Sequence, residues 1–224
     1  MQSEKRLENE YQQDPKTSPE RIGNFTASVL HAAIKKGVSG KYNKIGRQTL
    51  LDIKGAELDT GVIEDGGSSR WMDDGVTSEP IAKQVWQELT GRNIIDVPPY
   101  EHKTISFFAA SPDGVLEDDP SCLVEIKSPK AKEHRRTIRT GQIKEEYITQ
   151  MLAQISCMWH KGARKCLFIS YHKLYTPKIH VIEFKPTKKM ITDLEAEVIK
   201  LSKELIKDNL QVRKNQWHPE ALTK

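Results

Sequence analysis

Apolar positions repeat at helical spacing in several stretches of the chain. The first holds Val29, Leu30, Ala33 and Ile34, which Thr26 or Ser28 can cap and Gly37 can stop. A weaker pattern over 41–58 places Tyr42 and Ile45 one turn apart, then Leu50, Leu51 and Ile53, with Gly46 and Gly55 interrupting it. The next begins at Thr77 or Ser78, takes Glu79 and Pro80 into its first turn, buries Ile81, Val85, Trp86 and Leu89, and ends at Gly91. Glu145 to Lys161 carries Tyr147, Met151, Gln154, Ile155 and Met158 on one stripe before Gly162. The last helix runs from a Thr187 cap to Val212 over Ile191, Leu194, Val198, Leu201 and Leu205.

Between these lie strand-like runs at Asn93–Pro98, Lys103–Ala110, Lys165–His172 and Lys178–Phe184, the last two reading as an antiparallel pair about the Thr176-Pro177 turn. Residues 63–74 are rich in glycine, serine and acids and read as a loop exposing Trp71 and Met72. The first 19 residues are polar and broken by Asp14-Pro15 and Ser18-Pro19, so they read as a mobile arm. Residues 215–224 read as a tail. The middle, 20–214, is expected to form a single α/β domain, consistent with a total length of 224 residues.

Composition narrows the setting. No apolar run approaches the roughly 20 residues that span a bilayer, and the first residues lack the apolar core of a signal peptide. A soluble, cytoplasmic protein with no membrane partner is expected. Its three cysteines, Cys122, Cys157 and Cys166, fall in apolar segments without metal-ligand spacing and read as reduced, buried thiols. The seven histidines show no ligand spacing and read as incidental. A net charge of +4 is too small to name a partner. Local clustering says more: Lys130, Lys132, Arg135, Arg136, Arg139 and Lys144 gather with Glu133 alone opposing them, which is either a solvated helix face or a seat for a phosphate backbone.

The chemistry concentrates in Ser111–Lys127, SPDGVLEDDPSCLVEIK. Strand alternation puts Glu125 and Lys127 on one face. A hairpin turned at Pro112–Gly114, after the 104–110 run, would bring Asp113 beside Glu125. Two nearby carboxylates repel in a partly dry site, and a hard divalent cation such as Mg²⁺ relieves that repulsion. The plain alternative is an ordinary turn and a strand with one solvent face. Arg21, Thr26 and Ser28 at a helix start read either as a phosphate seat or as a simple cap with a surface arginine. Glu79 reads either as a third metal carboxylate or as a favourable charge at a helix start.

Taken in order, Glu79, S-P-D-G at Ser111–Gly114, E-I-K at Glu125–Lys127 and Y-I-T-Q at Tyr147–Gln150 resemble the phage lambda-type exonuclease (viral alkaline exonuclease) family of the PD-(D/E)xK nuclease superfamily. The likeness covers about residues 20–185 and includes Arg21 with Thr26-Ala27-Ser28 and Arg139-Thr140-Gly141. It implies a restriction-endonuclease-like core, a central mixed β-sheet flanked by helices. It implies a Mg²⁺-dependent 5′→3′ exonuclease, with one or two ions and Mn²⁺ substituting, that leaves a 3′ overhang on duplex DNA. Catalysis would fall to Asp113, Glu125, Lys127 and Gln150, and metal binding to Glu79, Asp113, Glu125 and the Ile126 carbonyl. Arg21, Thr26, Ser28 and Ser111 would hold a 5′-phosphate. Arg135, Arg136 and Arg139 would contact the strand, and Met72 would wedge the bases. Glu133 departs from the family pattern, standing where an arginine is expected. The likeness further implies a homotrimeric ring and a single-strand annealing protein as partner. An endonuclease of the same superfamily, or a silent module that binds DNA ends, would share most of these residues.

Overall fold

The computed structural model describes residues 21–37, 40–63 and 70–215, including the side chains of all but 70–77 among them. The expected arm over 1–19, all but the first residue of the tail over 215–224, and the side chains of Trp71 and Met72 therefore lie outside the described residues.

Two sheets share the centre. Strands β1 (Phe25–Thr26), β4 (Phe108–Ala110) and β3 (Tyr100–Glu101) form a small one in the order β1-β4-β3, with β1 parallel to β4. The larger runs β2 (Ile94–Ile95), β5 (Gly114–Leu116), β6 (Asp119–Lys127), β7 (Lys165–Tyr171) and β8 (Ile179–Phe184). In it β6 and β7 are parallel and the other neighbours antiparallel, so the sheet is mixed, as expected.

Helices cover both faces. Cys122, Val124 and Ile126 of β6 join Leu167, Ile169 and Tyr171 of β7 in a core against Ala82 and Trp86 of α3 (Arg70–Thr90). Leu123, Cys166 and Phe168 point the other way, into a larger core built from α1 (Ala27–Ile34), α2 (Lys44–Thr60), α5 (Glu145–Met158) and α6 (Lys188–Lys214). The strand around Glu125 is thus buried on both sides and does not have the solvent face its alternation allowed. Burying every residue from Cys122 to Ile126 contributes roughly 25 cal/mol for each Å² of apolar surface removed from water. It also makes the one carboxylate in that run expensive unless something compensates it.

Helix α6 matches the sequence expectation closely. Thr187 caps it by accepting from the Met190 amide, and all five apolar residues of the expected stripe are buried. The β7–β8 pair is antiparallel, as read.

Other elements differ. Helix α1 stops at Ile34 rather than Gly37, and Thr26 caps it by backbone position without a side-chain hydrogen bond. Tyr42 lies ahead of α2, and Ile45 is 81 % exposed. Helix α3 begins at Arg70, inside the expected loop, so Glu79 and Pro80 stand within a 21-residue helix rather than in its first turn. Its buried face is Ala82 and Trp86, while Ile81 and Leu89 are exposed. The Lys103–Ala110 run contributes strand only at its end, after Phe107 takes φ 59°, a left-handed conformation costly for an aromatic residue. That strand joins the small sheet, so no hairpin links it to β6.

Candidate active site

The carboxylates converge by a different route from the one the turn residues suggested. The hairpin is β5–β6, turned at Glu117–Asp118, and Asp113 sits just ahead of β5. Its amide donates to the Val124 carbonyl at 3.1 Å, and its Oδ2 accepts from the Ile126 amide at 2.6 Å. Asp113 is thereby fixed one residue from Glu125. Gly114 serves packing rather than turning: a Cβ there would come within 2.4 Å of Ile94 Cγ2 and 2.8 Å of the Ile95 carbonyl, on the neighbouring strand.

Glu125 is fully buried. Lys127, two residues along the same face, sets its ammonium against Glu125 Oε1. Gln154 of α5 donates to Glu125 Oε2 at 2.5 Å and to the Ser111 carbonyl at 3.3 Å, clasping the two motif segments together. The sequence placed Gln154 only on a core stripe, and its polarity on that stripe was the signal that could have marked it. The expected amide, Gln150, lies half-buried one turn earlier on α5. Tyr147 stacks on Phe168 at 5.6 Å and places its ring 5.5 Å from Lys127 Nζ, a cation–π contact that steadies the ammonium. Lys83 of α3, also not singled out from sequence, donates to the Asp113 carbonyl at 3.2 Å.

The electrostatics are those of an acid cluster short of positive charge. Burial, and then the neighbouring Glu125, push Asp113 well above the usual carboxylate range. Glu79 is pushed up by the same two causes in the same order, so it stands in the field of the pair. Lys127 moves up as well: burial draws it down, but Glu125 and Asp113 more than reverse that. The two acids hold its proton. Among the described residues, no group of three or more His, Cys, Asp or Glu side chains stands ready to hold one ion. The donor set nevertheless fits a hard cation, being carboxylate oxygens that the fold has dehydrated and left with one lysine between them.

The remaining expected site residues surround this centre. Pairing of Thr26 with Ala109 makes Ser28 and Ser111 leave β1 and β4 at the same end, both exposed, whereas Thr26 itself is buried. Arg21 lies before the other end of β1, on a turn that Glu57 of α2 holds by accepting from the Gly23 amide at 2.8 Å. Arg135, Arg136 and Arg139 are exposed on α4 (Ala131–Thr140), which follows β6 directly. Glu133, the departure noted above, engages Lys144 at 3.4 Å and Arg136 at 3.9 Å. Among the described residues no helix is long and apolar enough to cross a membrane, and the three cysteines are free and buried.

Comparison with known proteins identifies the family and the fold. Residues 18–161 match the YqaJ-like viral recombinase domain. An alkaline exonuclease from Laribacter hongkongensis, LHK-Exo, is 30 % identical, with a TM-score of 0.75 over 87 % of this chain and 94 % of that one. The same enzyme in complex with dAMP gives 0.76 over 88 % and 94 %. A phage-related exonuclease from Haemophilus somnus 129PT, 11 % identical, shares the fold with a TM-score of 0.61 over 86 % and 96 %. No curated protein matches the chain. The chain belongs to the YqaJ-like viral recombinase domain family, and its fold is that of the PD-(D/E)xK phage exonucleases.

Proposed function

We propose that the protein is a Mg²⁺-dependent exonuclease that degrades one strand of linear duplex DNA from a 5′-phosphorylated end, leaving a 3′ overhang for recombination by strand annealing. The observation that carries this reading is the meeting of Asp113, Lys127 and the fully buried Glu125 in one cluster. Kinship to an alkaline exonuclease solved with dAMP supports a deoxynucleotide substrate.

Asp113 and Glu125, with Glu79 and the Ile126 carbonyl, are the residues that would hold one or two Mg²⁺ ions, for which Mn²⁺ would substitute. Bound there, the cation supplies charge stabilisation at the scissile phosphate and at the leaving 3′ oxygen. The protein's own groups do the rest. Neutralising the two carboxylates would remove what holds the Lys127 proton, which can then pass to bulk water, and the resulting neutral amine would orient the attacking water and accept its proton. Gln150 faces water or phosphate from α5, while Gln154 keeps Glu125 aimed. Gln154→Leu should leave Glu125 Oε2 and the Ser111 carbonyl unpaired, costing about 1–3 kcal/mol in denaturant unfolding; unchanged stability would remove the clasp.

Arg21, Thr26, Ser28 and Ser111 form the seat for the terminal 5′-phosphate, Arg135, Arg136 and Arg139 track the strand, and Met72 wedges the end. Arg21→Ala is expected to slow digestion of 5′-phosphorylated ends selectively, and equal losses on phosphorylated and hydroxyl ends would refute the seat. Residues 20–214 act as one nuclease domain, assembled as a homotrimeric ring in the cytoplasm and handing the 3′ strand to a single-strand annealing protein. Light scattering that gives a monomer at working concentration would remove the ring.

The deciding experiment is digestion of a linear duplex with one 5′-phosphorylated and one 5′-hydroxyl end, in Mg²⁺ or EDTA, beside a closed circle. Metal-dependent loss of the phosphorylated strand with intact circles is expected. Cut circles would identify an endonuclease, and binding without turnover a silent end-binding module.

A further inference from the structure

The basic helix α4 is attached to the sheet in an unusual way. Its buried residues are His134 and Thr137, and the Thr137 hydroxyl donates back to the Glu133 carbonyl of its own helix. No large apolar side chain of α4 is buried, so the hydrophobic stripe that normally docks a helix is missing. His134 takes its place. It is fully buried, with Nδ1 at 2.8 Å from Ser170 Oγ on β7 and Nε2 at 3.0 Å from the Pro177 carbonyl in the β7–β8 loop.

These partners define the tautomer. A carbonyl accepts only, so Nε2 carries the hydrogen and donates to Pro177, leaving Nδ1 to accept from the Ser170 hydroxyl. The ring is therefore satisfied as neutral imidazole. Ser170 lies opposite Lys127 in the β6–β7 register, so the anchor is bolted to the strand beside the catalytic lysine.

We propose that His134 is a positioning residue that presents Arg135, Arg136 and Arg139 to DNA only while its imidazole is neutral, so that mild acid releases α4 and weakens DNA binding. The proposal rests on the reading of α4 as a DNA-contacting helix. The surroundings of the ring oppose its protonation. Burial acts most strongly against a positive charge there, His172 of the β7–β8 loop and His180 of β8 add to it, and the bond to the Pro177 carbonyl offsets only part of this. Tyr175 of that loop packs edge-on against the ring at 5.1 Å and accepts from Arg135 at 3.5 Å, while Lys173 and Lys178 are exposed. On α4 itself the carboxylate of Glu133 is engaged with Arg136 and Lys144. A proton on His134 would sit beside two histidines in a closed site and would force the Ser170 hydroxyl to turn from donor to acceptor.

The test measures binding of the full-length protein to a blunt duplex in EDTA, by fluorescence anisotropy, from about pH 7.5 to about pH 5.5. Protonation of seven histidines by itself would tighten binding to a polyanion on acidification. The anchor predicts the opposite sign: affinity falls about tenfold or more, and the slope of log K against log salt shrinks by roughly 2–3 as three arginine contacts are lost. His134→Gln keeps a donor and an acceptor without titrating, and should lose the acid step even if its neutral-pH affinity drops. In the unsubstituted protein, hydrogen exchange should show α4 losing protection at low pH while β7 keeps it. Constant or rising affinity together with intact α4 protection, or an acid step that persists in His134→Gln, would overturn the anchor. Loss of α4 protection with no change in affinity would uphold the anchor and refute the DNA-contact reading.

Discussion

Asp113→Asn is expected to cost on the order of 10² or more in nuclease rate while raising the melting temperature of the metal-free protein at alkaline pH. Both follow from the same dehydrated carboxyl. Asp113 is pushed well above its usual range by burial and by Glu125, which means that the folded protein favours its protonated form. A group whose pKa rises on folding contributes stability that is fully present below its unfolded value, about 3.9 for aspartate. That contribution is lost as the pH climbs through the raised folded value. At alkaline pH the metal-free protein has therefore lost that contribution, and ionising Asp113 in place is unfavourable. Asparagine does not ionise and keeps an oxygen to accept from the Ile126 amide. Each kcal/mol relieved is worth about 2–4 °C in a chain of this size. The gap between variant and unsubstituted protein should narrow as the pH falls toward the ordinary carboxylate range. Mg²⁺ should raise the melting temperature of the unsubstituted protein much more than that of the variant. Thermal scans at several pH values, with and without Mg²⁺, check all three expectations. A variant less stable than its parent at every pH would refute the strained cluster, and Glu79, pushed up by the same causes, should behave in the same sense more weakly.

Lys127→Ala should also lose on the order of 10² or more in single-turnover cleavage, with duplex affinity in EDTA within a few-fold of normal. Among the described residues Lys127 is the one cation placed on Glu125, and the Tyr147 ring and the β6 backbone hold it there, so the proposed function gives it a part in the chemistry rather than in strand binding. Removing it leaves Glu125 Oε1 buried without its counter-charge, so a modest stability loss accompanies the rate loss. Arginine should not restore the rate, because a planar guanidinium keeps its proton and cannot reproduce the compact ammonium. Normal circular dichroism with near-normal turnover would eliminate Lys127 from the chemistry.

The opposite responses expected of these two variants point to a general property of the site. The fold spends stability to keep the acids of the pair dehydrated and close together, and a bound cation or a neutral side chain returns part of it. Gln154 is the counterweight, a buried amide satisfying one oxygen of Glu125.

Much of this was legible in the chain. Helix α6 and the β7–β8 pair follow from periodicity, because each buries one face and is long enough for the pattern to rise above noise. Glu125 and Lys127 share a face because strand side chains alternate, and that needs no knowledge of what covers the strand. Local chemistry misled where tertiary contacts outweighed it. The Pro-Asp-Gly triplet looks like a turn, but Gly114 is small because β2 crosses it. Pro80 looks like a helix start, yet α3 extends ten residues before it to lie against the sheet through Ala82 and Trp86.

By itself, then, the order of acids, lysine and apolar faces along the chain determined the mixed α/β architecture and put Glu125 and Lys127 on one strand face, since alternation and helical period are properties of the backbone alone. What only the tertiary structure decided is which distant groups meet. The Gln154 amide on Glu125, the Lys83 ammonium on the Asp113 carbonyl and the His134 ring between Ser170 and Pro177 join residues 29, 30, 36 and 43 positions apart. Contacts of that range arise when elements pack, and nothing in the local sequence encodes their partners.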